Sequence, residues 1–253
     1  MRICFSLAIM SALLLGGIAS ANEGAGGLEF GLRSLTDVSA LNSSIADRYQ
    51  KDFGTSLFQI GGHGYGVIGG FVIGGEGAGI FNYDHIGYNR PNDIFLSGSE
   101  EGTLSLGGGY GALDVGWQWR MSHVFNLIPM AQIGYGGMEV DANPINTGIT
   151  TGGGGDMMQD NDLRRASQGC FIAGARVMLN YHLILGQGNR GYGGLKFALI
   201  AGYQQWMLPT GWDANHVDMN NLPSATLSGA YLMLSIGGVG GSYDGGKQKG
   251  DWK

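Results

Sequence analysis

The segment Gly169–Leu185, GCFIAGARVMLNYHLIL, decides the fold prediction. Its residues alternate between two faces with the two-residue period of a β-strand. One face is apolar along its whole length and consists of Phe171, Ala173, Ala175, Val177, Leu179, Tyr181, Leu183 and Leu185. The other face carries Arg176, Asn180 and His182 among smaller residues. This pairing of an apolar outer face with a polar inner one is typical of a strand in a membrane β-barrel, where the apolar face meets lipid.

The remainder of the chain repeats this pattern. In Gly191–Met207, Leu195 and Leu199 share the face opposite Lys196 and Gln204. The eight predicted strands are Leu28–Leu35, Thr55–Val67, Gly70–Phe81, Thr103–Trp119, Val124–Met138, Gly169–Leu185, Gly191–Met207 and Ser224–Gly237. One segment differs: Asp37–Phe53 has apolar or aromatic residues four apart, which predicts a short amphipathic helix near the N-terminus.

The connections between these strands alternate strictly between long and short. The three longest late connections are Asn82–Gly102, Glu139–Gln168 and Leu208–Pro223, and short turns separate them. A soluble sandwich has no reason to obey this rule, whereas an outer-membrane barrel has short periplasmic turns and long external loops. We therefore predict an all-β fold, an eight-stranded antiparallel up-and-down transmembrane β-barrel.

Composition and the N-terminus bound the compartment. The 253 residues include 50 glycines, only 13% are charged, and the net charge of −6 gives no support for nucleic-acid binding. Residues 1–21 have a basic start, an apolar run and an Ala-Ser-Ala site, which predicts a cleaved signal peptide. The predicted organisation is a signal peptide over 1–21, a barrel domain over 22–237 and a polar tail over 238–253.

In this pattern the chain resembles the small eight-stranded bacterial outer-membrane barrels. Such proteins end in a strand whose last residue is aromatic and is recognised during assembly. The final predicted strand, with Tyr231, Leu232 and Leu234, is similar to that signal. The chain departs from the family pattern in the polar segment Gly237–Lys253 that follows. The resemblance implies an outer-membrane location and contact with membrane lipid.

The inner faces of the predicted strands carry a set of polar residues. The predicted lumen network consists of Asp114, Arg176, Lys196, Gln118 and His182, with Gln132, Asn180 and Gln204 as further members. An eight-stranded barrel is just wide enough to be filled by its own side chains, so these charges should pair. We expect a salt-bridge network in which Asp114 is the lone acid. A polar binding site or a narrow pore is the alternative.

Other motifs give weak signals. Gly64–Gly69 matches the dinucleotide fingerprint G-x-G-x-x-G, but no helix is predicted to follow it. Asp156, Asp160 and Asp162 could hold Ca²⁺, although a solvated acidic loop is the more common arrangement. The five histidines show no metal-binding spacing. We therefore predict no cofactor, no metal site and no enzymatic activity.

The predicted function is structural or interactive. The barrel would anchor the protein in the outer membrane, and its long external loops would bind a protein or surface partner. One alternative is a soluble secreted β-sandwich or lipocalin-like carrier of a small apolar ligand. Another is a lipid enzyme that is active at the barrel rim.

Overall fold

A computed structural model describes residues 22–49, 53–88, 100–122, 124–144, 164–188, 191–214 and 222–242. Within them, eight long strands form the body of the molecule. These strands are β1 (Glu23–Leu35), β2 (Ser56–Ile68), β3 (Phe71–Tyr88), β4 (Glu100–Trp117), β6 (Phe125–Pro144), β7 (Arg164–Gln187), β8 (Gly191–Met207) and β10 (Gly229–Ser242). Two short strands, β5 (Trp119–Arg120) and β9 (Asp213–Ala214), and one helix, α1 (Ser39–Tyr49), complete the elements.

The eight long strands close into a barrel. Each pairs antiparallel with its neighbours in the order β6-β4-β3-β2-β1-β10-β8-β7, and pairing of β6 with β7 completes the ring. Pairing of β1 with β10 joins the first and last strands, as the up-and-down topology requires. The prediction of an eight-stranded antiparallel barrel with one short helix is therefore confirmed. No helix in the described ranges is long and apolar enough to cross a membrane.

One end of the barrel has tight turns and the other has long connections. The β2–β3 turn consists of Gly69 and Gly70, with φ values of 59° and 93°. Two residues with positive φ form the type I′ turn that matches the twist of a hairpin, and glycine adopts it without steric cost. We call this end, where β1 and β10 also have their outer termini, the turn end. The opposite end, which holds α1, is the loop end.

The last strand differs from its prediction. The sequence pattern places Ser224–Ser228 at the start of this strand, but β10 begins at Gly229 and runs to Ser242. Residues Leu222–Ser228, which we call the strap, lie inside the loop end of the barrel, and Ala225–Ser228 are all buried. An alternating sequence usually marks a strand that has one face in water or lipid. Ala225–Ser228 alternate in the same way although all four residues are buried, and the pattern was therefore misread as part of the strand.

The ends of β1 and β10 extend beyond their predicted bounds, because glycine removes the periodic signal. Gly24, Gly26 and Gly27 pair with Gly240, Gly238 and Gly237 in the closing ladder. A Cβ on Gly237 would lie 1.8 Å from the carbonyl oxygen of Gly26. The two backbones can therefore approach only without side chains here.

Two apolar clusters fill the lumen near its ends. The loop-end cluster packs Leu41 of α1 and Leu227 of the strap against inward residues such as Leu106 and Trp206. The turn-end cluster includes Tyr65, Ile128, Met178, Ile200 and Met233. On β7, Arg176 lies between Ile172 of the loop-end cluster and Met178 of the turn-end cluster.

Candidate functional site: the polar lumen

The outer wall of the barrel is apolar. Leu28 is 69% exposed and Ile133 is 64% exposed, and both point away from the lumen. The other exposed large apolar side chains of the wall include Phe30, Leu32, Phe58, Ile60, Ile73, Leu113, Val115, Trp117, Phe171, Leu179, Phe197, Leu199, Leu232 and Leu234. A monomeric water-soluble protein rarely exposes a continuous apolar surface of this size.

The inner wall holds a charged cluster around Arg176. Its guanidinium contacts three carboxylates: Asp114 at 2.6 Å, Glu29 at 3.3 Å, and Glu76. All four side chains are buried, and they come from β7, β4, β1 and β3. One cation on β7 therefore reaches acids on β1, β3 and β4 across the lumen. We call these four residues the central charge network.

Amide and hydroxyl groups complete the hydrogen bonding of this network. Gln132 Nε2 donates to Glu76 Oε1 at 2.7 Å and to Asp114 Oδ1 at 2.9 Å. Tyr110 OH donates to Glu76 Oε1 at 2.8 Å, and Gln204 Nε2 donates to the same oxygen at 3.0 Å. Three carboxylates contact a single guanidinium here, and these neutral donors stabilise the carboxylate oxygens by hydrogen bonding.

A second polar group extends from the network toward the turn end. His63 lies between Glu29, which its Nδ1 contacts, and Lys196, whose Nζ contacts Nε2. The Lys196 ammonium also lies 4.9 Å from the centre of the Tyr65 ring, a favourable position for a buried cation. Glu29 therefore touches both Arg176 and His63 and joins the two groups.

Arg33 connects the network to the strap. Its Nη2 donates to Gln204 Oε1 at 2.6 Å, and its Nε donates to Gln59 Oε1 at 2.9 Å. Its Nη1 donates to the carbonyl oxygen of Leu227 at 3.0 Å. A single buried guanidinium thus holds inner-wall residues and the main chain of the inserted segment.

The turn end of the lumen has its own polar group. The carboxylate of Glu23 accepts hydrogen bonds from Gln118 at 2.9 Å, Tyr192 at 2.8 Å and Arg120 at 3.2 Å. Beside it lies an open cavity of about 430 Å³, lined by Asn22, Glu23, Val67, Gly69, Gly70, Trp117, Gln118 and Arg120.

Three further polar side chains line the lumen near Lys196. His182 is the cross-strand neighbour of Lys196 and lies 3.5 Å from Asn126. Asn180 Nδ2 donates to Asn126 Oδ1 at 2.6 Å.

The structure places all five predicted network residues in the lumen but does not bring them together. Asp114 and Arg176 form a direct ion pair. Lys196, His182 and Gln118 have other partners, which are His63, Asn126 and Glu23 respectively.

The sequence pattern predicted that Asp114 would be the lone acid of the lumen. This prediction was wrong, because the carboxylates of Glu29 and Glu76 also contact Arg176. Glu29 shares a face with Arg33, opposite Leu28, Phe30 and Leu32, and that alternation could have identified both residues. Glu76 stands between Gly75 and Gly77, so no apolar neighbour marked its face. His63 stands among glycines in the same way and was also missed.

A polar collar follows the apolar wall at the loop end. On the outer face of β6, Tyr135 is followed by Glu139 and Asp141, and Arg165 of β7 reaches both at 2.7 and 2.8 Å. Partial burial raises the pKa of Glu139, and the neighbouring Asp141 raises it further. Bonding to Asp141 raises the pKa of Arg165. The wall therefore changes from apolar to ionic within a few residues.

The described ranges contain no group of three or more side chains suited to hold a metal ion. The residues Asp156, Asp160, Asp162, His123 and His216 lie outside the described part of the chain. Of His85, only the main chain is described. Gly64–Gly69 belongs to β2 and its turn, so this glycine motif is part of the barrel wall rather than a nucleotide-binding loop.

The described strands form a closed antiparallel β-barrel. Comparison with solved structures finds proteins of that kind. The attachment invasion locus protein Ail of Yersinia pestis, in complex with the heparin analogue sucrose octasulfate, aligns with a TM-score of 0.37 and 9% identity, over 88% of this chain and 99% of that one. The outer membrane protease OmpT of Escherichia coli aligns with a TM-score of 0.34 and 11% identity, over 87% and 96%.

A major outer membrane protein of Thermus thermophilus gives a TM-score of 0.35 and 11% identity, over 87% of this chain and 99% of that one. No protein-family model and no curated protein sequence matches the chain. The pairing of the eight strands establishes the barrel independently of these similarities.

Proposed function

We propose that this protein is an integral outer-membrane barrel that anchors its external loops at the cell surface, with a lumen closed in its resting state. The observation that supports this most strongly is the inverted distribution of polarity. Large apolar side chains cover the outside, and the ion pairs lie inside. A barrel in water would bury the first group and expose the second.

The height of the apolar wall supports the same proposal. On β6 the apolar outer face runs from Phe125 to Tyr135, before Glu139 and Asp141 begin the collar. Those ten residue steps correspond to about 33 Å along a strand at about 3.3 Å per residue. With the usual tilt of about 40°, the wall is about 25 Å tall, which is the height of the apolar band of outer-membrane barrels. Trp117, Trp119 and Phe125 near the turn end, and Tyr135 and Phe171 near the loop end, supply aromatic side chains at both margins.

The lumen supports an anchoring role rather than a carrier or an enzyme. A carrier of an apolar ligand needs an apolar cavity, whereas here the middle of the lumen is occupied by ion pairs. The carboxylates of Glu29, Glu76 and Asp114 are buried among their partners, out of reach of a substrate in the medium. The loop segments that would contact a protein or surface partner lie mainly outside the described residues.

Fractionation tests this proposal. The protein expressed with its signal sequence should sediment with outer membranes, resist extraction by high salt and alkaline carbonate, and require detergent to dissolve. Folded protein should also migrate differently from boiled protein in a denaturing gel. Recovery as a detergent-free soluble monomer would contradict the proposal and favour the carrier alternative. The matched control is the chain without residues 1–21, which should remain in the cytoplasm and fail to reach the membrane.

A further inference from the structure

The strap has an unusual position, because it lies within the barrel without joining the sheet. Two main-chain hydrogen bonds join it to the chain just after β1, from Thr36 N–H to the carbonyl oxygen of Ser228 at 3.0 Å and from Thr226 N–H to that of Asp37 at 3.4 Å. Side chains supply its other contacts. Arg33 donates to the carbonyl oxygen of Leu227, Gln168 donates to that of Ala225, and the main-chain N–H of Trp206 donates to Ser228 Oγ at 2.9 Å. Even with these bonds and those of Gln205 and Trp212 to the strap, its withdrawal would break fewer hydrogen bonds than moving a wall strand, which two full ladders hold.

Glycines in the wall make room for the side chains that pack at the loop end. A Cβ on Gly108 would lie 2.6 Å from Leu227 Cδ1, so the glycine provides the space that the Leu227 side chain occupies. Gly136 provides similar space for the Trp206 ring, at 2.7 Å. The strap therefore fits a recess in the wall and closes the loop end of the lumen together with α1.

A column of polar side chains runs from beneath the strap toward the other end of the barrel. It begins at Arg33 and Gln204, continues through the central charge network to His63 and Lys196, and passes His182 and Asn126 to reach Gln118 and Glu23 at the open turn-end cavity. Packing alone does not require such a column, because apolar residues of similar volume often stabilise a core as well as a buried ion-pair cluster does.

We propose that the strap is a gate that controls the entry of water and small inorganic ions into the polar lumen from the loop end. With the strap in place, the loop-end cluster seals the column. When the strap withdraws, the carbonyl of Leu227 leaves Arg33, and water replaces it on a guanidinium that points into the lumen. The charges of both signs that line the column would then contact the entering ions.

Cys170 supplies a native reporter for this gate. It is a free thiol, buried in the loop-end cluster with Ala225 and Leu227, and it lies two residues from Gln168 on the inner face of β7. Small charged methanethiosulfonates, one with a trimethylammonium group and one with a sulfonate group, serve as ion-sized probes. They should label Cys170 in the folded protein in micelles slowly, at a rate set by withdrawal of the strap.

Two variants loosen the strap, and each has a matched control. Ser228→Ala removes the hydroxyl that bonds Trp206, and Ser235→Ala removes a buried lumen hydroxyl that has no hydrogen-bond partner in the described part of the chain. Leu227→Ala shortens the side chain in the Gly108 recess. Ile128→Ala shortens a fully buried side chain of the turn-end cluster.

We expect Ser228→Ala to speed labelling of Cys170 by at least about threefold, the effect of losing the hydrogen bonds that Gln205 and Trp206 donate to its hydroxyl in the closed state. Leu227→Ala should speed it by at least about tenfold. Both probes should respond, and both controls should label at the wild-type rate. Heat-modified gel migration verifies that each variant is folded. Equal labelling rates in all five proteins would overturn the proposal, and so would equal acceleration by Ile128→Ala and Leu227→Ala, which would indicate general loosening.

Discussion

Asp114→Asn should destabilise the native protein but should stabilise a variant that lacks the Arg176 cation. In the native barrel, Asp114 accepts a bond from Arg176 at 2.6 Å and one from Gln132 at 2.9 Å. Asp114→Asn should therefore destabilise the protein by about 1.5–3 kcal/mol, the usual contribution of a hydrogen bond to a charged group. Arg176→Met removes the cation that touches Glu29, Glu76 and Asp114 together, and should cost about 3–5 kcal/mol or more.

The double variant distinguishes the possible origins of these losses. Once Arg176 is replaced, Asp114 and Glu76 are two carboxylates that share the Nε2 of Gln132, and no guanidinium in the described part of the chain contacts either of them directly. Neutralising Asp114 should then relieve repulsion, so Asp114→Asn should stabilise the Arg176→Met protein. The coupling energy between the two positions should therefore exceed the cost of about 1.5–3 kcal/mol that Asp114→Asn has in the native background.

Urea unfolding in detergent micelles, followed by tryptophan fluorescence, measures the free energy of unfolding of the four proteins. Arg165→Met with Asp141→Asn is the matched control at the collar, where the arginine side chain is 49% exposed. Coupling in an exposed pair should stay below about 1 kcal/mol. If Asp114→Asn destabilised both backgrounds equally, to within about 0.5 kcal/mol, the carboxylates would be separately solvated and the network would not exist.

Three other perturbations test the wall, the closure and the orientation of the barrel. Leu199→Arg, at the middle of β8, should cost about 2–4 kcal/mol, and Tyr203→Arg nearer the margin should cost about 0–1 kcal/mol; equal small costs would mean that the outer face is wet. Gly237→Ala should impair closure of the barrel, because its Cβ would lie 1.8 Å from the carbonyl oxygen of Gly26. Gly238→Ala is the control, since a Cβ there has open space and the variant should fold normally. Heat-modified gel migration checks this, and identical migration of the two variants would refute the closing register. A protease added to intact cells should cut within Glu139–Gln168 and spare the short turns, and the reverse cleavage pattern, mapped by mass spectrometry, would invert the orientation.

The strands were predictable because each residue of a barrel wall points either outward or toward the lumen. Outward side chains such as Leu199 meet one environment and inward ones such as Lys196 meet another, so the two-residue period survives in the sequence. The alternation of connection lengths then distinguished an up-and-down barrel from a sandwich. The helix was predictable for a similar reason, since its apolar positions recur four apart.

The strap and Glu76 of the central charge network were not predictable in the same way. Ala225–Ser228 of the strap are all buried, so the alternation in their sequence does not mark a lipid-facing side as it does in a wall strand. Glu76 stands among glycines, which carry no signal about which face is inward. Its partner Arg176 lies 100 positions away in the chain, and the contact exists only because the ring closes. Sequence patterning can place a residue on a face, whereas pairing across a lumen depends on which walls become opposite.

The central claim is that the two faces of each strand meet lipid and lumen, and oxygen accessibility along β8 tests it most directly. Single cysteines placed in turn at residues 195–204, in a Cys170→Ala background, can carry a nitroxide spin label in protein reconstituted into lipid bilayers. Collisions with lipid-soluble oxygen should be frequent at the odd positions and rare at the even ones, with a period of two residues. Collisions with a water-soluble nickel complex should be rare at the odd positions throughout. Frequent nickel collisions at residues 197, 199 and 201 would show that the apolar wall faces water, and would contradict membrane insertion.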